Sequence, residues 1–271
     1  MTLAGLGLAA SLFAAPLAAS ANTVITLPNA TWSGFINVPS FPPKTLTTTP
    51  VTGPGLVQGG LGNSYAGVSS APIPSPKIHA RVGGVDLAEI SGGQAHLNIE
   101  YFMEIVGPGN GLAPLNVVGG GGVSSFNGGV GSASLDLRTP GHEYSAGVTS
   151  TNGQLTFADA TNGLNLNLPD GSSFSINGTG MFPINTVIQV DMLAIADSDF
   201  ELGPSTGEAL IDPVYRVDPS FPNASQYSIV LSPGIGNSAV PEPAAWATML
   251  LGLAALGVVL RRRPVFAASP T

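Results

Sequence analysis

Cysteine is absent and charge is scarce, and each absence excludes a class of protein. Without a single Cys, the chain has no disulfide framework, no thiolate zinc site and no cysteine nucleophile. Charged residues make up 9% of its 271 positions, against roughly a quarter in an ordinary soluble domain. Lys and Arg number 8 against 16 Asp and Glu, a formal net charge of −8, so no basic face is offered to nucleic acid. A mean hydropathy of +0.33 and 44% hydrophobic residues exclude a charge-rich disordered chain. Tryptophan is nearly missing: of the 2 present, only Trp32 lies in the body, which leaves few indole platforms for sugar faces.

Catalytic signatures are missing as well. There is no G-x-S-x-G elbow and no H-E-x-x-H pair. The run Gly119 to Gly122 lacks the Lys and the following helix of a phosphate loop, and reads as a flexible loop. The 3 histidines, His79, His96 and His142, are scattered and read as strand-edge or loop residues. No cofactor is expected, and the chain is expected not to be an enzyme.

What is present is clearest at the two ends. Residues 1–21 carry no charged side chain and close on Ala19-Ser20-Ala21, an A-x-A pattern that reads as a signal peptide cleaved before Asn22. No basic n-region precedes it. Residues 244–260 form an uncharged apolar run at the lower length limit of a membrane-spanning helix. Trp246 stands near its first boundary and Arg261, Arg262 and Arg263 follow its last. An arginine cluster there holds that end in the cytoplasm and snorkels to lipid phosphates. The body, with only Lys44, Lys77, Arg81, Arg138 and Arg216 as cations, is then placed outside the inner membrane, and residues 264–271 form a short cytoplasmic tail.

Immediately before the apolar run stand Pro241, Glu242 and Pro243. The two prolines remove backbone donors and keep the segment extended, where a membrane enzyme can reach it. Pro-Glu-Pro, an apolar span and an arginine cluster, in that order over residues 237–263, resemble the PEP-CTERM sorting signal of exopolysaccharide-producing Gram-negative bacteria. The resemblance implies recognition by an exosortase, a membrane-embedded processing enzyme, with the inner membrane holding the precursor. It also implies delivery of the body from the periplasm to the cell envelope or extracellular matrix, in the company of exopolysaccharide.

The body, residues 22–236, reads as all-β. Leu97, Ile99, Tyr101, Met103 and Ile105 alternate with Asn98, Glu100 and Glu104, the period of a strand with one buried face. The same alternation recurs at Leu135/Leu137, Leu155/Phe157, Leu164/Leu166/Leu168, Phe174/Ile176, Ile188/Val190/Met192 and Tyr227/Ile229/Leu231. Asn127-Gly128-Gly129, Asn152-Gly153, Asn162-Gly163 and Pro169-Asp170-Gly171 punctuate these runs as turns. Short strands so spaced indicate an antiparallel β-sandwich or jelly roll. Residues 38–76, rich in Pro, Gly, Ser and Thr, read as a long irregular segment over the surface.

The sharpest local constellation is Asp197, Asp199 and Glu201, with Glu208 eleven residues after the first. Carboxylates at positions 1, 3, 5 and 12 are the pattern of a calcium loop. Leu202 stands where that loop needs Gly, and Pro204 follows, so the alternatives are a looser Ca²⁺ site and a solvated acidic turn. Three functional readings follow. The first is a non-enzymatic envelope or matrix protein delivered by its C-terminal signal and associated with exopolysaccharide. The second is a secreted, glycan-directed hydrolase whose paired carboxylates meet only in space, and the third a surface protein that keeps its membrane anchor.

Overall fold

The computed structural model describes residues 26–40, 45–61, 64–73, 75–84, 92–169, 172–198 and 204–237. Over these the chain is all-β, with one short 3₁₀ turn, Ala224–Gln226. The signal peptide, the span 244–260, Pro241 to Pro243, Arg261 to Arg263 and the tail lie outside the described residues. Among the described residues, no helix is long and apolar enough to cross a membrane.

Fifteen strands run in order: β1 Thr31–Ser40, β2 Thr45–Val51, β3 Gly55–Leu61, β4 Ser64–Ala71, β5 Lys77–Gly84, β6 Gly93–Val106, β7 Leu112–Phe126 and β8 Val130–Thr139. They continue with β9 His142–Thr151, β10 Gln154–Ala160, β11 Leu164–Asn167, β12 Ser173–Pro183, β13 Val187–Ser198, β14 Ser205–Val217 and β15 Ser228–Leu231. They form two antiparallel sheets. Sheet A has the order β10-β9-β8-β13-β6-β1-β2, and sheet B the order β11-β12-β7-β14-β5-β4-β3. β15 joins sheet A on the same edge of β6 as β1, beyond Thr31, where β1 begins.

The sheets face each other, with β13 across β14 and β5, β6 across β5 and β4, and β8 across β14 and β7. The alternation read in the sequence makes this face. Leu97, Ile99, Tyr101, Met103 and Ile105 of β6 are all fully buried, as are Leu135 and Leu137 of β8 and Ile188, Val190 and Met192 of β13. Each fully buried aliphatic side chain contributes about 1.5–3 kcal/mol relative to exposure. With the pleat sending alternate residues to opposite faces, a one-residue slip would turn this whole set to solvent, which fixes the register.

Turn chemistry sets where the chain changes direction. Asn152 and Gly153 take φ of 53° and 75°, the paired left-handed geometry of a two-residue hairpin, and close β9 on β10. Asn127-Gly128 and Asn162-Gly163 take the same signs but do a different job. They carry the chain between the sheets, from β7 to β8 and from β10 to β11.

Two expectations are corrected. The segment 38–76 is not irregular: its described residues hold the end of β1 and all of β2, β3 and β4. Its Pro50, Gly55, Gly59 and Gly60 blur the alternation, yet every one of them is paired in register with a neighbouring strand. Gly119 to Gly122 is likewise not a loop but the middle of β7, between β12 and β14. Gly119 and Gly121 are required by their neighbours: a Cβ on Gly121 would strike the Phe174 ring and the Leu210 carbonyl.

The C-terminal end of the body is stitched to both sheets. β15 pairs with β6 in sheet A, and Ile235 is buried in the core. Gly236 donates its N–H to the Pro72 carbonyl at 2.8 Å. Asn237 then grips the backbone of Tyr215 in sheet B from both sides, its Oδ1 accepting from the N–H at 2.8 Å and its Nδ2 donating to the C=O at 2.7 Å. β5 stops pairing with β14 at Ile211, so this amide does for Tyr215 what a continuing strand would have done.

Candidate functional site

Strands β3, β4 and β5 form one end of sheet B, and their solvent faces enclose a groove of about 580 Å³. It is built from three neighbouring cross-strand rows. The middle row runs Gln58, Gly67, Arg81 and Glu208 from β3 to β14. On one side lies the row Leu56, Ser69, His79 and Leu210, and on the other Gly60, Tyr65, Gly83 and Thr206. Gly67 forms the floor, and the polar side chains of Gln58, Ser69, His79 and Arg81 rise around it.

Tyr65 lies flat because Gly83 beneath it has no side chain; a Cβ there would overlap the ring. The Arg81 guanidinium stands over that ring, its Cζ 5.0 Å from the centroid, and its Nε donates to the Tyr65 hydroxyl at 3.2 Å. Such a cation over an aromatic face is worth about 0.5–1 kcal/mol at an exposed site, and the two contacts hold the guanidinium plane. Glu208 stands opposite Arg81 in register, but its carboxylate reaches His79 Nε2 at 2.8 Å. That hydrogen bond holds the Glu208 carboxyl below its ordinary range, against the opposing pull of burial.

The four residues of the suspected calcium loop do not gather into one described site. Asp197 lies on the outer face of sheet A, 2.9 Å from His96 Nε2, whereas Glu208 lies on the outer face of sheet B. Asp199 and Glu201 lie outside the described residues. Among the described residues, no group of three or more His, Cys, Asp or Glu could hold a metal ion. The histidines differ from expectation in place: His79 and His96 sit inside strands, each bonded to a carboxylate two positions away across the ladder. His96 also stacks on Phe35 at 4.5 Å. His142 begins β9.

Carboxylates that a hydrolase would need are densest on the outer face of sheet A. Glu100, Asp191 and Asp136 stand side by side on β6, β13 and β8. Arg138 collects the last two and Glu143, with contacts of 2.7 Å to Asp191, 2.9 Å to Glu143 and 3.7 Å to Asp136. Burial pushes the Asp136 carboxyl up, partly offset by Arg138. This row belongs to the sheet opposite the groove, and two of its three acids, Asp191 and Asp136, are tied to an arginine. Retaining and inverting glycosidases place two carboxyl groups across a bound sugar; among the described residues no carboxylate lines the groove, and Glu208 stands beside it, bonded to His79.

Sequence reading found none of the groove, because its residues come from three strands and two of those strands were read as irregular. The sorting signal, by contrast, is contiguous. The PEP-CTERM protein-sorting motif matches residues 239–263, two residues after Asn237. No curated protein matches the chain. Among solved structures, it is similar to one described as "Structure of infectious bursal disease virus Gx strain", at 12% identity and a TM-score of 0.17, covering 87% of this chain and 69% of that one. A likeness that slight bears on neither fold nor function. The matched motif is what places the chain: it is a PEP-CTERM motif-bearing protein, exported and sorted to the cell envelope by an exosortase.

Proposed function

We propose that the chain is a non-enzymatic, jelly-roll-like envelope or matrix protein that associates with exopolysaccharide through the groove on sheet B. The observation that carries this reading is the groove itself, with Tyr65, Gln58, Ser69, His79 and Arg81 around the bare floor of Gly67. Pyranose rings present hydroxyls to be hydrogen-bonded and C–H faces to be packed, and a mostly preformed concavity with a few polar groups suits them. The connectivity is compatible with the reading. The strand orders β5-β14-β7-β12 and β6-β13-β8-β9, with the chain crossing repeatedly between them, match the two Greek keys of a jelly roll, an architecture that includes lectin domains. That is analogy at the level of the fold, and the site carries the proposal.

Delivery follows from the ends of the chain. Residues 1–21 act as signal peptide, 244–260 hold the precursor in the inner membrane, and Arg261 to Arg263 keep its tail in the cytoplasm. The exosortase then frees the body at or near Pro241-Glu242-Pro243. The test follows the body, with an antibody raised against it, in the parent and in a strain lacking the processing enzyme. A membrane-bound precursor in the mutant and a smaller, polysaccharide-associated species in the parent are expected. Identical mass and membrane partition in the two strains would mean that the protein keeps its anchor. A processed body that leaves the polysaccharide fraction on mild washing would refute the association.

A further inference from the structure

We propose that the groove on sheet B takes a carboxylated saccharide, a polymer unit bearing a uronate or similar acid, with Arg81 as the residue that binds its carboxylate. The inference rests on the polysaccharide reading above and narrows it to a chemical class.

The argument begins with the rarity of positive charge. In a chain of net charge −8, strand β5 places Lys77, His79 and Arg81 at alternate positions, so the pleat sends all three to the outer face of sheet B. Elsewhere in the described body, Arg138 is engaged by three carboxylates. Arg81 is not treated that way. The acid opposite it in register, Glu208, is turned to His79. Arg81 is bonded instead to a neutral phenol, through Nε; Glu208 feels its charge but makes its close contact with His79, so no carboxylate is seated on the Arg81 fork among the described residues.

Geometry adds to charge. A guanidinium whose Nε is fixed and whose plane is set by an aromatic ring presents its Nη pair as a fork, and a planar fork matches a carboxylate in bidentate fashion. Arg81 borders Gly67 from β5, Gln58 stands opposite it on β3, and Ser69 lies two residues along β4, all lining the groove. A sugar ring over Gly67 with its carboxylate on Arg81 would then find an amide and a hydroxyl for its ring oxygens and hydroxyls. A neutral sugar would leave the cation without its counterpart.

The test uses the full chain in detergent, titrated with polygalacturonate and with the same polymer after reduction of its carboxyl groups. Binding to the acidic polymer is expected, with a loss of about tenfold or more on carboxyl reduction. Arg81→Gln should weaken acidic-polymer binding by a similar factor, about 1.4 kcal/mol per tenfold. Gln58→Ala, which leaves the Arg81–Tyr65 pair intact, should weaken it as well and guards against a merely disordered Tyr65. Arg216→Gln, at the far end of β14, should leave it unchanged. Equal binding of the acidic and reduced polymers would overturn the inference while leaving polysaccharide association standing. An Arg216→Gln loss equal to that of Arg81→Gln would overturn it too, by showing diffuse charge attraction. No binding of either polymer would overturn both readings.

Discussion

The phenol oxygens of Tyr101 and Tyr215 meet at 2.6 Å in the core, one from β6 of sheet A and one from β14 of sheet B. Both side chains are essentially inaccessible, with rings inclined at 60°. This is a polar bond between the two sheets within a mainly apolar layer, one hydroxyl donating and the other accepting; Ser125 and Ser150 make a second such bond at 2.9 Å.

Breaking the pair on one side is therefore expected to cost more than its net worth. Tyr101→Phe leaves the Tyr215 hydroxyl buried without that partner, and the loss should be about 1–3 kcal/mol. The double change to Phe should cost less than twice the single ones, since it leaves neither hydroxyl stranded. Urea unfolding of the four forms measures the coupling; strict additivity would show that the two hydroxyls do not interact.

Alkaline pH should destabilise the body through the same pair. Burial raises both phenols well above their ordinary value; the neighbouring Tyr215 adds to the rise at Tyr101, whereas the hydrogen bond to Tyr101 partly offsets it at Tyr215. A raised folded pKa means a contribution fully present below the unfolded value, about 10, and lost as pH rises beyond it. A melting temperature that falls above that pH in the parent and falls less in the double Phe form is the expected result.

Glu104 gives a slope of the same sign at lower pH. Its carboxylate is fully buried, and among the described residues neither oxygen has a hydrogen-bond partner. Burial raises its pKa, so its ionised form weighs against the fold at neutral pH, and stability should grow as pH falls through the raised value. Glu104→Gln should raise the melting temperature at pH 7 and remove that gain on acidification. An unchanged profile would place the carboxylate in water.

Within the glycine run, the expected sensitivity alternates. Gly121→Ala drives a methyl into the Phe174 ring and the Leu210 carbonyl, and overpacking of this kind costs about 1–3 kcal/mol. For Gly122→Ala the nearest atom is the Ser172 carbonyl at 3.4 Å, and the change should be nearly neutral. Thermal melts of the two variants check the difference, and equal losses would argue that the run is loose rather than packed.

The same run shows where sequence reading stops. β6, β8 and β13 were legible because Leu, Ile, Val and Met recur at every second position, and burial follows that period except at the buried Glu104 of β6. Gly119 to Gly122 carries no such signal, since a glycine has no side chain to alternate. Its strand is dictated by Ser173 to Ile176 on one side and Leu210 to Pro213 on the other. Strands β2 to β4 were hidden for a related reason: Thr, Ser and Gly outnumber their apolar residues, and tertiary pairing overrides weak propensity. The groove needed all three of β3, β4 and β5 in register before Tyr65 could lie over Gly83 and Arg81 over Tyr65. The sorting motif asks for nothing of that kind, because its message is read along the chain.

The double grip of Asn237 on Tyr215 has a mechanical meaning for a tethered precursor. If the proposed span 244–260 tethers the precursor, a pull from it reaches the described body at this residue and divides, part through β14 into sheet B and part through β15 and β6 into sheet A. Neither sheet is unzipped from an edge strand alone. Severing the tether anywhere beyond Asn237 relieves the pull while leaving every one of these bonds in place, so the released body keeps its last strand and both of its seams closed.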